Sequence, residues 1–317
     1  MTETPRDAAP PEDDDFTAEP RGAGRLIVRF FLLPLLVVGA AVGIFLVFNL
    51  MTFERRSPRD YLQEVRGGAA NRRWQAAFEL SRSLGKLPPE ERASLTAETL
   101  RIFEGLSPKR SDDVPVRRYL ALVLGRLGEK AAVPALLAAA RDEDPDTRLY
   151  AVWALGRIGD PAAYETVLET SQSEDAGARK MAAYVLGQLG DPRAIPRLRV
   201  LAEDRTADVR WNAAIALAKL QDRSGLPVLR SMIDREALAR QAALSSDQAE
   251  AAMVNALKAL ALLKDTEALP QIEKLARSDP NLRVRAEARK TAEATRGKVS
   301  KRLERGDPLL VGSKPEI

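Results

Sequence analysis

The sequence predicts an all-α fold: an elongated α-solenoid of about five helix-pair repeats, preceded by a disordered tail and one transmembrane helix. Three observations predict this fold. A helical pattern recurs with an unbroken spacing of 31 residues over the four units that begin between Arg117 and Arg210, and in the first three of them a glycine separates two apolar stripes. The stretch 30–51 contains no charged side chain. Because one helix pair cannot bury its apolar face alone, repeated pairs stack into a solenoid.

The amino-terminal residues 1–25 are rich in Pro, Asp, Glu and Ala, and they include an acidic run at 12–15. They contain no apolar period from which a packed element could form. We therefore predict a disordered tail, and we interpret the acidic run as solvated charge rather than as a cation site.

The chain carries a formal net charge of +4, from 49 Lys and Arg against 45 Asp and Glu. Four of these basic and seven of these acidic residues lie within 1–29, so the remainder holds 45 basic against 38 acidic side chains. A nucleic-acid binder concentrates its basic side chains on one face, whereas this excess is mild and spread along the chain. The charge pattern therefore predicts no nucleic-acid partner.

Residues 26–53 are predicted to form a single-pass membrane anchor. The uncharged stretch 30–51 reads FFLLPLLVVGAAVGIFLVFNLM, and at about 1.5 Å per residue its helix is roughly 33 Å long, enough to cross a hydrocarbon core of about 30 Å. The alternatives are a buried core helix and a cleaved signal peptide, whose apolar region spans only about 7 to 15 residues. Gly39 and Gly43 form a small-xxx-small pair, which leaves a homodimer through this helix open.

Basic residues near the two ends of the anchor decide its orientation. Three arginines precede the anchor and three follow it, namely Arg21, Arg25, Arg29, Arg55, Arg56 and Arg59. The count is balanced, but a short basic tail directly before the first apolar helix favours a cytoplasmic amino terminus. We therefore expect an inner-membrane protein whose repeat domain lies outside the cytoplasm.

The sequence of each repeat unit predicts a first helix, a residue that ends it and a second helix. The units begin at Arg117, Arg148, Arg179 and Arg210, and an apolar-face leucine follows seven positions later at Leu124, Leu155, Leu186 and Leu217. Gly128, Gly159 and Gly190 are expected to stop the first helices, because a residue with positive φ ends a helix there. Asp-Pro dipeptides at 160–161 and 191–192 then supply a capping oxygen and a proline that starts the next helix.

Small residues and two insertions complete the repeat pattern. Gly125, Gly156 and Gly187 are expected where the two helices of one unit cross closely. One insertion lengthens the period around 234–247, and another precedes the unit that begins at Arg117. The predicted segments after the anchor are a juxtamembrane linker or helix at 54–72, a repeat domain at 73–297 and a basic, disordered tail at 298–317.

The repeated motif resembles the bacterial HEAT-like repeats, including those named after phycobilisome lyases. It reads RLYAVWALGRIGDPAAYETVL from Arg148 and RKMAAYVLGQLGDPRAIPRL from Arg179, and the similarity covers most of the predicted repeat domain. The resemblance implies a right-handed solenoid and a polar ladder between neighbouring units, in which an aspartate stands six positions before an arginine. That aspartate is present at 142, 204 and 279 and is replaced by serine at 111 and 173.

Some positions on the second helices are not used for packing in any unit, and the residues at these equivalent positions, or columns, predict a binding surface. The candidate protein-binding residues are Arg197, Arg199, Arg230, Lys274, Leu137 and Leu168. The basic members form a cluster on adjacent units that would bind an acidic peptide or a phosphate-bearing partner, and the two leucines are expected to be exposed beside it. The alternative interpretation is an ordinary solvated helix face. The insertion at 234–247 is a second candidate, because insertions in repeat proteins commonly map to one face.

The aromatic residues leave two interpretations open. Trp74, Trp153 and Trp211, with Tyr119 and Tyr150, could form a stacking platform for a ligand. Trp153 shares its column with apolar and aromatic residues in the other units, which favours core packing.

The missing residue types limit the chemistry. The chain has no histidine and no cysteine, which excludes Ser-His triads, thiolate nucleophiles and metal sites built from these ligands. The segment 83–86 matches the S-x-x-K spacing of some serine acyl enzymes, but the Ser-Asp-Asn and Lys-Thr-Gly partners are absent from the sequence. No phosphate-binding glycine loop occurs in the sequence either. We therefore predict no catalytic residue, no cofactor and no metal.

The families that this motif resembles also include enzymes, which depend on particular residue types. The di-iron site of deoxyhypusine hydroxylase uses His-Glu motifs, which a chain without histidine cannot supply. HEAT-like DNA glycosylases use a basic face, which the mild charge does not favour. The sequence predicts a membrane-anchored scaffold that binds unidentified protein partners in an envelope or membrane complex, and a cofactor-handling protein related to bilin lyases stays open as the alternative.

Overall fold

The computed structural model describes residues 28–52, 56–240 and 244–304. The chain divides into two compact units, residues 1–56 and 57–317. All regular elements of the described residues are helical, which confirms the all-α prediction. The predicted tail at 1–25 and residues 305–317 of the second predicted tail lie outside the described residues.

The described part of the first unit is a single apolar helix. A π-helical turn, Val28–Leu32, leads into α1, Leu33–Thr52. Within this segment Phe30–Val47 has a mean hydropathy of 2.8, and by length and composition it could cross a membrane. Its large side chains are exposed, as in Phe31 at 74% and Ile44 at 71%. Homodimer formation through the glycine pair of this helix stays a prediction.

The described residues of the second unit form six helix pairs, flanked by one helix on each side. The pairs are α3 and α4 (Ala70–Ser83, Pro89–Gly105), α5 and α6 (Val114–Leu127, Val133–Ala139), α7 and α8 (Pro145–Ile158, Tyr164–Thr170), α9 and α10 (Ala176–Leu189, Ile195–Leu201), α11 and α12 (Ala207–Lys219, Leu226–Met232), and α14 and α15 (Ser246–Leu263, Leu269–Ser278). The flanking helices are α2 (Pro58–Gly67) and α16 (Leu282–Glu304), and a short α13 (Arg235–Ala239) lies in the insertion. The sequence predicts about five pairs, and the solenoid class is confirmed.

The helices stack in two rows. The first helices α3, α5, α7, α9, α11 and α14 pack each on the next. Every second helix packs against the first helix of the following unit, as α6 does on α7 and α8 on α9. The apolar stripes of both rows meet in a core, with side chains such as Leu124 and Leu155 fully buried.

The glycines of the first helices lie between units, which corrects the expectation that they serve the crossing within a unit. A Cβ added at Gly125 would lie 2.6 Å from Ala154 Cβ, and one added at Gly156 would lie 2.6 Å from Val185 Cγ2. The neighbours belong to the next first helix, because the first helices stack directly on one another. Glycine here permits close approach of consecutive units.

The turns between paired helices follow the predicted pattern. Gly128, Gly159 and Gly190 have φ of 73°, 71° and 72° and end their helices. The Asp160 side chain accepts a hydrogen bond from the Ala162 backbone N–H, as predicted for a cap. The proline that follows starts a 3₁₀ turn rather than the second α-helix itself. In the unit that begins at Arg210 the same position is held by Gln221, with φ of 60°, and in the sixth helix pair it is held by Lys264, with φ of 50°.

A ladder of arginine–aspartate pairs joins neighbouring units. The pairs are Arg73 with Asp113 (2.9 Å), Arg117 with Asp142 (2.7 Å), Arg179 with Asp204 (2.7 Å) and Arg235 with Asp279 (2.6 Å). Each carboxylate accepts from an arginine of an earlier unit. At Asp142 and Asp204 the arginine six positions later binds the backbone instead: Arg148 donates to the Asp142 carbonyl at 2.8 Å and Arg210 to the Asp204 carbonyl at 2.7 Å. In the first pair Asp113, two positions beyond Ser111, supplies the carboxylate.

The boundaries of the helical body extend beyond the predicted repeat domain at both ends. Helix α2 packs on α3, so the second compact unit begins at Ser57 instead of 73. At the other end α16 continues to Glu304, past the predicted boundary at 298. The described part of the predicted linker, residues 56–72, is thus largely helical, as the linker-or-helix prediction allows.

Candidate protein-binding groove

An open groove of about 840 Å³ runs across the first-helix row beside the insertion. Its apolar wall is formed by Trp153 of α7, Met181 and Tyr184 of α9, Trp211 and Ile215 of α11, and Met232 of α12. Its second wall comes from α14 and the residues before it, through Leu244, Gln248, Ala251, Ala252 and Asn255. The groove therefore lies between the first helices α7, α9 and α11 on one side and α14, which follows the insertion, on the other.

The two described sides of the insertion, at α13 and at the start of α14, are held by hydrogen bonds and an ion pair. Asp234 caps α13 by accepting from the Glu236 N–H at 2.9 Å. Arg235 then donates to both carboxylate oxygens of Asp279, at 2.8 and 2.6 Å, and this bidentate contact raises the pKa of Arg235. At the start of α14, Ser245 and Gln248 form a reciprocal capping box. These contacts fix the wall that α14 contributes.

The aromatic side chains combine the two roles that the sequence left open. Trp153 and Tyr184 are half-buried and pack against the core with one side, while both line the groove with another. Trp211 is more deeply buried, at 8% exposure. Trp74, Tyr119 and Tyr150 lie in earlier units, where Tyr119 contacts both other rings, with centroids 6.2 and 6.4 Å apart.

Cationic side chains lie over the aromatic rings of this row. Lys219 Nζ lies 5.5 Å from the centroid of the Tyr184 ring, and the Arg157 guanidinium lies 6.0 Å from that of Trp153. Burial lowers the pKa of Lys219. At the solvent-exposed rim of the groove, Lys180 and Asp208 form an ion pair at 3.2 Å. The groove therefore has an apolar centre and a rim in which positive and negative charges balance.

The arginines predicted as a free basic cluster are engaged within the chain. Arg197 donates to the Ser171 hydroxyl at 2.9 Å and to the Ser171 carbonyl at 2.6 Å, beyond the end of α8. Arg199 donates to Asp222 at 2.5 Å. Burial would raise the pKa of Asp222, but hydrogen bonds from Arg199 and Ser224 hold it below its usual value.

Arg230 makes the most extensive contacts of the cluster. It donates to both carboxylate oxygens of Asp265 at 2.8 Å, and it pairs with Glu267 at 2.6 Å. The pKa of Arg230 is raised, chiefly by the hydrogen bonds to Asp265, whose side chain is only 1% exposed. A partner's acidic group at these arginines would have to compete with carboxylates and carbonyls already in place.

The other predicted surface residues differ in exposure. Lys274 on α15 is exposed, as expected. Leu137 and Leu168 are half-buried and pack against the core, which corrects the expectation of exposed leucines. Each short second helix packs against the first helix of the next unit, and this contact partly covers Leu137 and Leu168. Binding of a partner at this surface stays a prediction.

Several groove residues were missed by sequence reasoning because they share columns with core residues. Tyr184 and Ile215 belong to the column that the sequence assigned to packing, but this column is half-buried in each of the four regular units, so part of each side chain stays accessible. The insertion itself was the available signal, since residues around 234–247 precede the α14 wall.

Comparisons with known proteins agree with this architecture. The family profile described as HEAT repeats matches residues 103–184 and 165–246. The solved complex of CpcE and CpcF of phycocyanin lyase from Nostoc sp. PCC7120 is similar, with 17% identity over 79% of this chain and 96% of that chain, and a TM-score of 0.55. These two findings support a HEAT-like family, and the fold is a HEAT-like α-solenoid. No curated protein sequence matches this chain significantly.

Two further solved structures resemble the chain more distantly. Escherichia coli YibA has 15% identity over 74% of this chain and 82% of that chain, with a TM-score of 0.47. Human deoxyhypusine hydroxylase in complex with glycerol has 17% identity over 76% of this chain and 96% of that chain, with a TM-score of 0.30.

Proposed function

We propose that this protein is a membrane-anchored scaffold whose HEAT-like repeat domain binds an apolar segment of a partner protein in the groove beside the insertion. HEAT repeats support a repeat-based protein-interaction scaffold. The observation that carries the proposal is the groove itself: it holds about 840 Å³ and is lined by aromatic, methionine and isoleucine side chains. Aromatic and methionine residues are the types enriched at the centre of protein interfaces.

The chemistry of the rim defines the partner. Lys180 and Asp208 neutralise each other, and the remaining polar side chains include the amides of Asn212, Gln248 and Asn255. A strongly charged ligand would gain no favourable electrostatic interaction from a rim whose charges already neutralise each other. A peptide segment that presents apolar side chains on one face, such as an amphipathic helix, matches an apolar floor with neutral polar edges.

The anchor places the scaffold at a membrane in this proposal. The segment 30–51 lacks any charged side chain, and its large apolar side chains are exposed. We further propose that the amino terminus is cytoplasmic and the repeat domain lies on the other side of the inner membrane. A reporter enzyme active in one compartment only, fused after Ile317, tests this orientation, and activity on the cytoplasmic side would overturn it.

A non-enzymatic role is part of the proposal. Without histidine and cysteine, the chain lacks the commonest general base, thiolate nucleophile and transition-metal ligands. The likeness to the phycocyanin lyase complex, at 17% identity, concerns the fold alone. Tight, stoichiometric binding of a tetrapyrrole by the purified chain would favour the lyase-related alternative.

Site-specific crosslinking in intact cells tests the groove. The photoreactive amino acid benzoylphenylalanine is introduced in place of Tyr184, and separately in place of Val200, a second-helix residue that is 58% exposed. We expect one protein partner to crosslink at 184 and not at 200. Equal crosslinking at both positions, or none at 184, would overturn the assignment of the groove.

A blocking variant makes the test specific. Ala251 is exposed and lines the groove, so Ala251→Trp fills the groove without disturbing the core. The matched control is Ala138→Trp, at an exposed position of α6 outside the groove. We expect the first variant to reduce crosslinking at 184 about tenfold, equivalent to roughly 1.4 kcal/mol of binding free energy. The control is expected to leave it unchanged.

A further inference from the structure

The arginine–aspartate ladder has a gap between the third and fourth helix pairs. Arg117 binds the carboxylate of Asp142, and Arg179 binds that of Asp204, 25 positions later in each case. Arg148 is the equivalent arginine of the unit between them, and the residue 25 positions later is Ser173. The chain therefore places a serine, instead of a carboxylate, at this step of the ladder.

The Arg148 guanidinium is held as in the paired units. Its Nη1 donates to the carbonyls of Asp142 and Glu143, at 2.8 and 2.9 Å. Arg179 Nη1 binds the two equivalent carbonyls at 3.0 and 2.7 Å, while its Nε and Nη2 bind the Asp204 carboxylate. Within residues 56–240, Nε and Nη2 of Arg148 have no hydrogen-bond partner. One edge of the guanidinium is thus fixed by the backbone and the carboxylate-binding edge is open.

A cavity of about 400 Å³ lies at this gap. Arg148, Ser173, Thr166 and Thr170 are among the residues that line it. The side chain of Arg179 is only 9% exposed in its ion pair, whereas Arg148 is exposed. A ligand can therefore reach the open edge of Arg148 from solvent.

We propose that this gap binds a carboxylate of a partner polypeptide, which completes the ladder as Asp142 and Asp204 complete it elsewhere. A carboxylate accepts from Nε and Nη2 as two parallel hydrogen bonds, and this is the geometry that the paired arginines already use. Because the carboxylate comes from a polypeptide, the inference adds a second contact to the proposed scaffold function. The gap and the groove share no lining residue.

The surrounding charges select a singly charged ligand. Among the described residues, three carboxylates border the cavity, and each has a partner: Asp146 pairs with Arg118 at 3.2 Å, Glu169 pairs with Arg141 at 2.8 Å, and Asp175 caps α9. Close to these negative charges, a doubly charged phosphate is repelled more strongly than a planar carboxylate. The site therefore fits an Asp or Glu side chain, or a chain terminus.

Nuclear magnetic resonance of the full chain in detergent micelles tests the proposal through the Arg148 Nε–Hε signal, which is assigned by its loss in Arg148→Lys. The probes are Ac-Gly-Glu-Gly-NH2 for a side-chain carboxylate and Ac-Gly-Gly-Gly-OH for a terminal one. Ac-Gly-Gln-Gly-NH2 is the neutral control, and inorganic phosphate is the dianion control. We expect a saturable shift with one or both carboxylate probes, and the stronger response identifies the source of the carboxylate.

Two variants keep the test independent of folding defects. Ser173→Asp supplies the missing carboxylate within the chain, so we expect a rise in Tm of about 2–4 °C and loss of the probe response. Ser173→Asn has a similar size without the charge and is expected to keep the response. No carboxylate-dependent shift, a shift with phosphate alone, or an unchanged response in Ser173→Asp would overturn the proposal. Crosslinking at Tyr184 reports on the groove separately in each variant.

Discussion

Arg179 donates two hydrogen bonds to Asp204, from Nε to Oδ2 at 2.7 Å and from Nη2 to Oδ1 at 3.0 Å, and thereby joins the fourth helix pair to the fifth. Both side chains are about nine-tenths buried. The hydrogen bonds raise the pKa of Arg179 and lower that of Asp204. The charged forms of both side chains are therefore the ones that the folded state stabilises.

Removing the Asp204 charge should destabilise the repeat domain. Asp204→Asn leaves the buried Arg179 guanidinium without its counter-ion, and removal of one partner of a buried pair costs about 3 kcal/mol. The free energy of unfolding, measured with urea, checks this value. Glu165→Gln is the control, because Glu165 and Arg193 form an exposed pair at 3.8 Å, and such pairs contribute under about 1 kcal/mol. Equal losses in both variants would contradict the role assigned to the ladder.

The pair between Arg118 and Asp144 should make stability depend on acid pH. Hydrogen bonds from Arg118, and then from Thr147, lower the pKa of Asp144 to about 2. A carboxyl group with a lowered folded-state pKa contributes its stabilisation fully above its unfolded value, about 4, and loses it as the pH falls through about 2. We expect Asp144→Asn to reduce the fall in Tm between pH 5 and pH 2. A variant that follows the wild-type curve throughout would contradict this assignment.

Alanine at Gly156 should force two units apart. Its Cβ would lie 2.6 and 2.9 Å from the two methyl groups of Val185, and overpacking of this kind costs about 1–3 kcal/mol. Gly105→Ala is the control, because nothing lies within 4 Å of an added Cβ there; we expect it to be neutral or slightly stabilising.

A double variant distinguishes the contact with Val185 from a general effect on helix α7. In Gly156→Ala combined with Val185→Ala, the shortened side chain makes room for the new methyl group. We expect the double variant to lose less stability than the sum of the two single variants, since residues in contact are not additive. Strict additivity would show that the two positions do not touch.

Glycine should stabilise the two turns that lack it. Gln221 and Lys264 have positive φ of 60° and 50°, a conformation that costs a residue with a side chain roughly 1–2 kcal/mol. Because glycine also loses more chain entropy on folding, we expect Gln221→Gly and Lys264→Gly each to gain about 0.5–1 kcal/mol. The reverse change, Gly190→Gln, should lower the Tm. Thermal unfolding of the three variants shows whether each substitution raises or lowers the stability.

Local features of the repeat were predictable from the sequence because they depend on residues close together in the chain. The stop at Gly159 and the cap at Asp160 lie within one turn of each other, and both have the predicted geometry. The apolar column through Leu155 follows from the helical period alone, and it is fully buried. Because the sequence repeats every 31 residues, the same helix ends, caps and buried positions recur along the chain.

Features that depend on the offset between stacked units were not predictable in the same way. The sequence placed Gly156 at a crossing within its own unit, but it faces Val185 of the next one. Arg197 and Arg230 looked free on their helices, yet their partners Ser171 and Asp265 lie 26 and 35 positions away. A pattern of neighbouring residues in the sequence cannot predict hydrogen bonds between residues this far apart in the chain.

The sequence by itself determined a helical repeat with its period, stops and caps, and an uncharged stretch long enough to span a membrane, because these follow from the chemistry of neighbouring residues. Only the tertiary structure decided which side chains are exposed. Side chains of α7, α9, α11 and α14 line one groove, and Ser173 leaves Arg148 without a carboxylate. Each of these outcomes depends on residues brought together from different units, which is why they become visible only in the folded solenoid.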